Sequence, residues 1–521
     1  MKLLDHLAEY FPTGTTEGER HILKRAFVQL DEFSNLICPP PFSPRVLVGK
    51  KGSGKSAVID FSMALFQRNG VPCLALKPLD IEFPPAESNQ SVGAATRVAL
   101  EVLTKSIAQA LGNNASGLIG ESDSVLYREA VAAGLKERDT ISQLARLLPK
   151  LAKPMIKADL GDLLPEESAA KKNQLLRSIQ NNLKKSGSVF YLFIDDTDQV
   201  AAPDQSGHLN RIWAFLLAAR ELCQKVEQLR CVISLREEVW RRISSDKASQ
   251  RDQTDHFAPL AKQLNPSRDH IRQILEKRLE LARIDAVADG HARSPNGDWL
   301  TFFDPKDPRI PTSDKRSSWP DLVVLRSRDR PRDAVQLINV LANSALQRNE
   351  LKITDDLLEA EMVEFSRQRV ELLSQESEQD LPELGNVIRS FAKLNFDHGS
   401  FKAKTETMKE HLRRHALSSG VRLYGRSLRN NIDADVFELW RFLYMVGYLH
   451  ARVSDTREKD GYRHLDPVKE PNFVSVPNWN QMQTVVWEIS PVYRDFLITQ
   501  QKNAAAQMGL PPPGRPFKGK R

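Results

Sequence analysis

The stretch that most constrains the fold is Val46-Leu47-Val48-Gly49-Lys50-Lys51-Gly52-Ser53-Gly54-Lys55-Ser56-Ala57, which fits G-x-x-x-x-G-K-[ST] from Gly49 to Ser56. The apolar run Val46–Val48 reads as a buried strand. Ile59, Met63 and Phe66 then fall at helical spacing. A strand, a glycine-rich loop and a helix in that order form a phosphate cradle. Glycines let successive N–H groups turn inward, and the helix adds its positive end. Gly49, Lys50, Lys51, Gly52, Ser53, Gly54, Lys55, Ser56 and Ala57 are therefore the expected nucleotide-binding residues. Lys55 meets the β- and γ-phosphates, and Ser56 can ligate Mg²⁺.

At 521 residues the chain is too long for one compact core, so two or three domains are expected. No apolar run is long enough to span a bilayer, and Asp5, His6 and Glu9 interrupt any signal-peptide pattern. Cys38, Cys73, Cys223 and Cys231 lack metal-ligand spacing and read as reduced thiols of a cytoplasmic protein. The net charge of +7 permits a nucleic-acid partner without requiring one.

The second anchor is Val189-Phe190-Tyr191-Leu192-Phe193-Ile194-Asp195-Asp196, a continuous apolar run that ends in acids. Paired with the upstream loop it reads as a Walker B strand. Asp195 would orient Mg²⁺, and Asp196 would position the attacking water, with Asp198 the next acid along. A further buried strand, Leu229 to Leu235, ends at Arg236. Ligands of open α/β sheets sit at the carboxyl ends of strands, so Arg236 is expected to face the nucleotide unless it only pairs with a neighbouring acid. Cys73–Leu76 and Leu260–Leu264 complete the expected strands.

The elements KGSGKSA, FIDDTDQV, SLREEVW and RDRPRD resemble those of bacterial P-loop ATPases with the KGSGKSA signature, which are similar to STAND and AAA+ (origin-recognition-like) ATPases. The resemblance implies an α/β P-loop NTPase core with a five-stranded parallel sheet in the order 5-1-4-3-2, a helical lid, and a C-terminal winged-helix-like α+β domain. It also implies ATP as the nucleotide and Arg332 as the lid arginine that senses the γ-phosphate. Arg332 as a mere helix-start surface charge is an equal alternative. The second acid is Asp196 where AAA+ proteins commonly have Glu, so slow hydrolysis is expected.

The expected boundaries are a helical lead-in at 1–44, the ATPase core at 45–265 with a helical insertion at about 113–187, and the lid at 266–380. A loop insertion within the lid, at about 285–328, is read from its Asp, Pro, Gly and Ser content. A winged-helix-like domain at 381–505 and a disordered basic tail at 506–521 complete the chain. Lys402, Lys404, Lys409, Arg413, Arg414, Arg422, Arg426 and Arg429 crowd one stretch of the C-terminal domain. They mark either a DNA-docking face or a solvated one on a protein-docking domain.

These expectations add up to an ATP-dependent, slowly hydrolysing switch, by analogy a sensor or regulator in a prokaryotic defence system. It would act with a protein partner or effector, or as a homo-oligomer. The alternative is a DNA-binding ATPase of origin-recognition type. A small-molecule kinase is disfavoured, because the chain is far longer than that job needs.

Overall fold

The computed structural model describes residues 1–77, 92–114, 121–133, 135, 172–197, 208–245, 255–292, 294–295, 297–310, 315–394, 396, 400–458 and 461–507. The expectations for Asp198 and for most of the basic tail fall outside these residues. Two compact units emerge: Leu23–Asn265, and Met1–Ile22 together with Pro266–Arg521.

In the first unit, strands β1 (Arg45–Gly49), β2 (Cys73–Leu76), β3 (Phe190–Ile194), β4 (Leu229–Arg236) and β5 (Ala261–Gln263) form one sheet in the order β2-β3-β4-β1-β5. All neighbours run parallel, which is the expected 5-1-4-3-2 order. Strands of a parallel sheet are covered on both faces and so read as unbroken apolar runs. Here alternation sends Leu47, Phe193 and Val232 towards Val58 and Ile59 of the helix Lys55–Arg68. Val46, Val48, Ile194, Ile233 and Leu235 go to the other face, with Leu103, Ile212, Phe215 and Leu216. The helices Glu121–Ala132 and Lys172–Ser186 lie inside the stretch expected as a helical insertion. They join that second layer through Val125, Leu126, Ile179 and Leu183. Gly112 permits the contact: a Cβ there would sit 1.8 Å from the Leu126 carbonyl oxygen.

The second unit has long helices at Arg268–Ala288, Pro331–Gln347 and Asp355–Glu376. Segment 285–328 departs from its reading as a loop insertion. It carries short helices at Trp299–Phe302 and Trp319–Leu325, and Phe302, Phe303, Trp319, Leu322 and Val323 are buried. Its apolar residues come in two tight groups between polar runs, so average composition hides them.

Further along are β6 (Lys402–Lys404), the two-residue strands β7 (Arg422–Leu423) and β8 (Arg426–Ser427), β9 (Leu449–Ser454), β10 (Tyr462–His464) and β11 (Val486–Ile489). The larger sheet is antiparallel in the order β10-β9-β11-β6. Its apolar face, with Ala403, Leu449, Ala451, Trp487 and Ile489 buried, packs Trp487 on Trp440 of the helix Asp433–Met445. That helix ends at Met445. Gly447 at φ 76° lets its own N–H reach the Tyr444 carbonyl and the Tyr448 N–H reach Leu443, closing the end and releasing β9.

Candidate functional site

The loop after β1 has the backbone a phosphate cradle needs. Gly52 and Gly54 take φ of 81° and 102°, the left-handed region open to glycine. Gly49 needs to be glycine for space, since a Cβ would meet Ser53 Oγ at 2.7 Å and the Leu264 carbonyl oxygen at 2.9 Å. Lys55 begins the following helix. Its ammonium is drawn into the loop, donating to the carbonyls of Gly49 (2.7 Å) and Lys50 (3.1 Å). Ser56 and Ala57 follow in the first turn, half-buried.

β3 and β4 bring the acids to the same end of the sheet. Asp195 is buried, and its Oδ1 accepts from Ser234 Oγ at 2.5 Å. Ser234 Oγ in turn accepts from the Asp196 N–H at 3.1 Å. Asp196 has φ 51°, which turns its carboxylate out of the strand's alternation, and Lys77 Nζ lies 3.7 Å from its Oδ2. Arg236, half-buried, ends β4 in register with Gly49 on β1. One edge thus gathers the loop, Asp195, Asp196 and Arg236.

Sequence reasoning missed Ser234 and Lys77. The one trace of Ser234 was a hydroxyl inside an otherwise apolar strand core. It also missed Thr197 and Glu237, which are buried at this edge. Thr197 Oγ1 and Glu237 Oε2, like Ser53 Oγ in the loop, have no hydrogen-bond partner among the described residues. Buried polar atoms are normally paired, so this edge has bonding capacity to spare for a polar ligand. Among the described residues no three His, Cys, Asp or Glu side chains converge into a metal cage. Mg²⁺ typically takes one or two protein oxygens and completes its shell with phosphates and water. A hydroxyl such as Ser56 and a carboxylate such as Asp195 are that kind of donor.

Arg332 belongs to the other unit. The segment Arg326–Asp333 is arginine-rich, and most of it is locked. Arg326 pairs with Asp495 (2.7 Å), Arg328 with Asp333 (2.5 Å) and Arg330 with Glu376 (2.9 Å), all buried. Arg369 meets the second oxygen of Asp333 at 2.6 Å. Burial alone pushes the Asp333 carboxyl up, but Arg328, Arg369 and Arg330 hold it below the ordinary carboxylate range. Arg332 stays half-buried, and its Nε donates to the Gly14 carbonyl at 3.1 Å.

Much of the basic C-terminal stretch is neutralised from within. Lys409 and Arg413 pair with Asp433, Arg414 with Glu410, Arg422 with Glu383, and Arg426 with Asp435 and Glu438. Lys402, Lys404 and Arg452 instead alternate onto the polar face of the sheet beside Glu488, with Glu488 in register with Lys402. The four cysteines are free. Among the described residues no helix is long and apolar enough to cross a membrane.

A family model described as the FunZ-associated C-terminal helical domain matches residues 269–374, the region of the three long helices. Over 401 residues the chain is 24% identical to the putative transposon gamma-delta 80.3 kDa protein of Escherichia coli (strain K12). The match takes in 74% of this chain and 54% of that protein, so the chain spans about half the length of this relative. Among solved structures it is similar to the ORC2 protein of Aeropyrum pernix in its ADPNP–ADP complexes, with 10% identity, a TM-score of 0.38, and 94% and 95% of the two chains covered. It is also similar to CDC6P from Pyrobaculum aerophilum, with 11% identity, a TM-score of 0.32, and 93% and 94% covered.

Proposed function

We propose that this chain is an ATP-binding, slowly hydrolysing switch. The observation that carries the reading is the shared sheet edge, where the Gly49–Ala57 loop lies with an Asp195–Ser234–Asp196 relay. Lys55 would exchange its two carbonyl partners for phosphate oxygens. Ser56 and Asp195 would hold Mg²⁺, which supplies charge neutralisation on the β- and γ-phosphates. Ser234 keeps Asp195 oriented, and its bond to the Asp196 N–H fixes the backbone that carries the second acid. The Asp196 carboxylate would orient the attacking water as general base. Arg236 from the core and Arg332 from the lid helix would read the γ-phosphate. The switch would act on a protein partner or on its own copies.

Two variants test this together. Lys55→Ala should fold and lose ATP binding in calorimetry. Asp196→Asn should keep ATP binding and lose turnover, because the amide has the shape of the carboxylate without its charge. Wild-type ATP affinity in folded Lys55→Ala would remove the site assignment.

A second reading, a DNA-binding ATPase, is favoured by the sheet face with Lys402, Lys404 and Arg452 around the single carboxylate of Glu488. Phosphate contacts there would give duplex binding a steep salt dependence, read by filter binding over a salt series. A flat salt series would count against it.

A further inference from the structure

We propose that Gly14, in the N-terminal segment, is a positioning residue for Arg332, so that residues 10–19 form part of the apparatus that distinguishes ATP from ADP. This rests on the reading of Arg332 as a γ-phosphate reader.

The contact is built rather than incidental. Lid side chains grip a short run of N-terminal carbonyls. Arg278 donates to Tyr10 O (2.8 Å), Asn339 to Phe11 O (2.6 Å), Gln336 to Thr13 O (2.9 Å) and Arg332 Nε to Gly14 O (3.1 Å). The run is also clamped from below. Glu19, buried, accepts from the Gly14 N–H at 2.9 Å and pairs with the buried Arg278 at 2.5 Å. Gly14 itself sits at φ 69°, and a Cβ there would lie 2.9 Å from the Arg332 carbonyl oxygen and 3.1 Å from Arg332 Cγ. The two residues therefore pack at a distance only glycine allows.

The way Arg332 is held gives the contact its meaning. Arg326 and Arg330 spend terminal nitrogens on buried carboxylates, and Arg328 is held to Asp333 through its Nε. Arg332 is anchored through Nε, and neither Nη1 nor Nη2 has a hydrogen bond or ion pair among the described residues. A guanidinium is planar and its five N–H groups form a rigid fork. Fixing Nε against a carbonyl sets the plane and leaves the Nη pair facing away, in the geometry that binds a phosphate by two parallel bonds. Pre-orienting the group lowers the ordering cost when the ligand arrives.

The experiment is a double-mutant cycle on nucleotide affinity, with ATP and ADP titrated calorimetrically into the full chain and melting temperature recorded for each variant. Arg332→Ala should shrink the ATP/ADP affinity ratio about tenfold or more, the loss of a charge-assisted contact. Gly14→Ala should shrink the ratio in the same direction while ADP affinity holds. In the Arg332→Ala background it should change the ratio no further. A merely structural role for Gly14 would lower both affinities, or the melting temperature alone, and leave the ratio intact. That result, or full additivity in the cycle, overturns the proposal. If Gly14→Ala does not fold, Gln336→Ala decides: it frees the adjoining Thr13 carbonyl, and an unchanged ratio there also overturns it. If Arg332→Ala itself leaves the ratio unchanged, the γ-phosphate reading of Arg332 has failed, which is distinguishable from a wild-type ratio in Gly14→Ala alone.

Discussion

Ser234 serves two consecutive residues at once, donating to the Asp195 carboxylate and accepting from the Asp196 N–H. Removing its hydroxyl strips a partner from a buried carboxylate, which costs about 1–3 kcal/mol when the group is left unsatisfied. Ser234→Ala should therefore melt lower. It should also weaken Mg²⁺-dependent ATP binding several-fold while leaving metal-free nucleotide affinity nearly unchanged, because the loop is untouched. Calorimetry with and without Mg²⁺ checks this, and equal losses in both conditions would count against a metal-orienting role for Asp195. At this scale the backbone of the glycine-rich loop was legible, because its glycines sit at adjacent positions and answer to local backbone demands. The Ser234–Asp195 bond was not. It joins residues 39 apart in sequence, and it exists because β3 and β4 are neighbours in the sheet. The lysine beside Asp196 was hidden for the same reason, since Lys77 follows β2, the other neighbour of β3.

Elements with a strong period were readable and elements defined by their partners were not. β3 and β4 are long apolar runs that a doubly covered sheet demands. β6 and β9 escaped notice because half of each is charged, with Lys402 and Lys404 on one and His450 and Arg452 on the other. The helix Thr405–His411 carries a consequence of its packing. His411 is buried against Phe391, beside His415. Burial, then the His415 and Lys393 charges, lowers its pKa from 6.5 to about 3. The unfolded chain therefore binds this proton first as pH falls. The stability it contributes is fully present above about pH 6.5 and is lost progressively down to about pH 3, at up to about 1.4 kcal/mol per pH unit. His411→Gln, which binds no proton, should melt with a shallower pH dependence between pH 6.5 and 4.5 than the wild type. Parallel melting curves across that range would show that His411 does not carry the effect.

The two units, Leu23–Asn265 and Met1–Ile22 with Pro266–Arg521, divide the proposed γ-phosphate readers between them, Arg236 in the first and Arg332 in the second. A ligand shifts a conformational equilibrium only by its differential affinity for the two states. ADP has no γ-phosphate, so it offers these arginines nothing that differs between an open and a closed arrangement. On the proposed reading, ATP would offer both a shared anionic group. Two charge-assisted contacts of roughly 1.5–3 kcal/mol each supply a bias of several kcal/mol, and about 5.5 kcal/mol carries a two-state element from 1:99 to 99:1. ATP with Mg²⁺ should therefore compact or assemble the wild-type chain, and ADP should not. Arg332→Ala halves the number of contacts and drops the bias to a size that leaves the open form well populated, so its scattering profiles in ATP and ADP should converge while ADP affinity stays near the wild-type value. Small-angle scattering in each nucleotide state, beside titrations on the same samples, tests this. A variant that still compacts with ATP as the wild type does would show that the second unit reads the nucleotide through a residue other than Arg332.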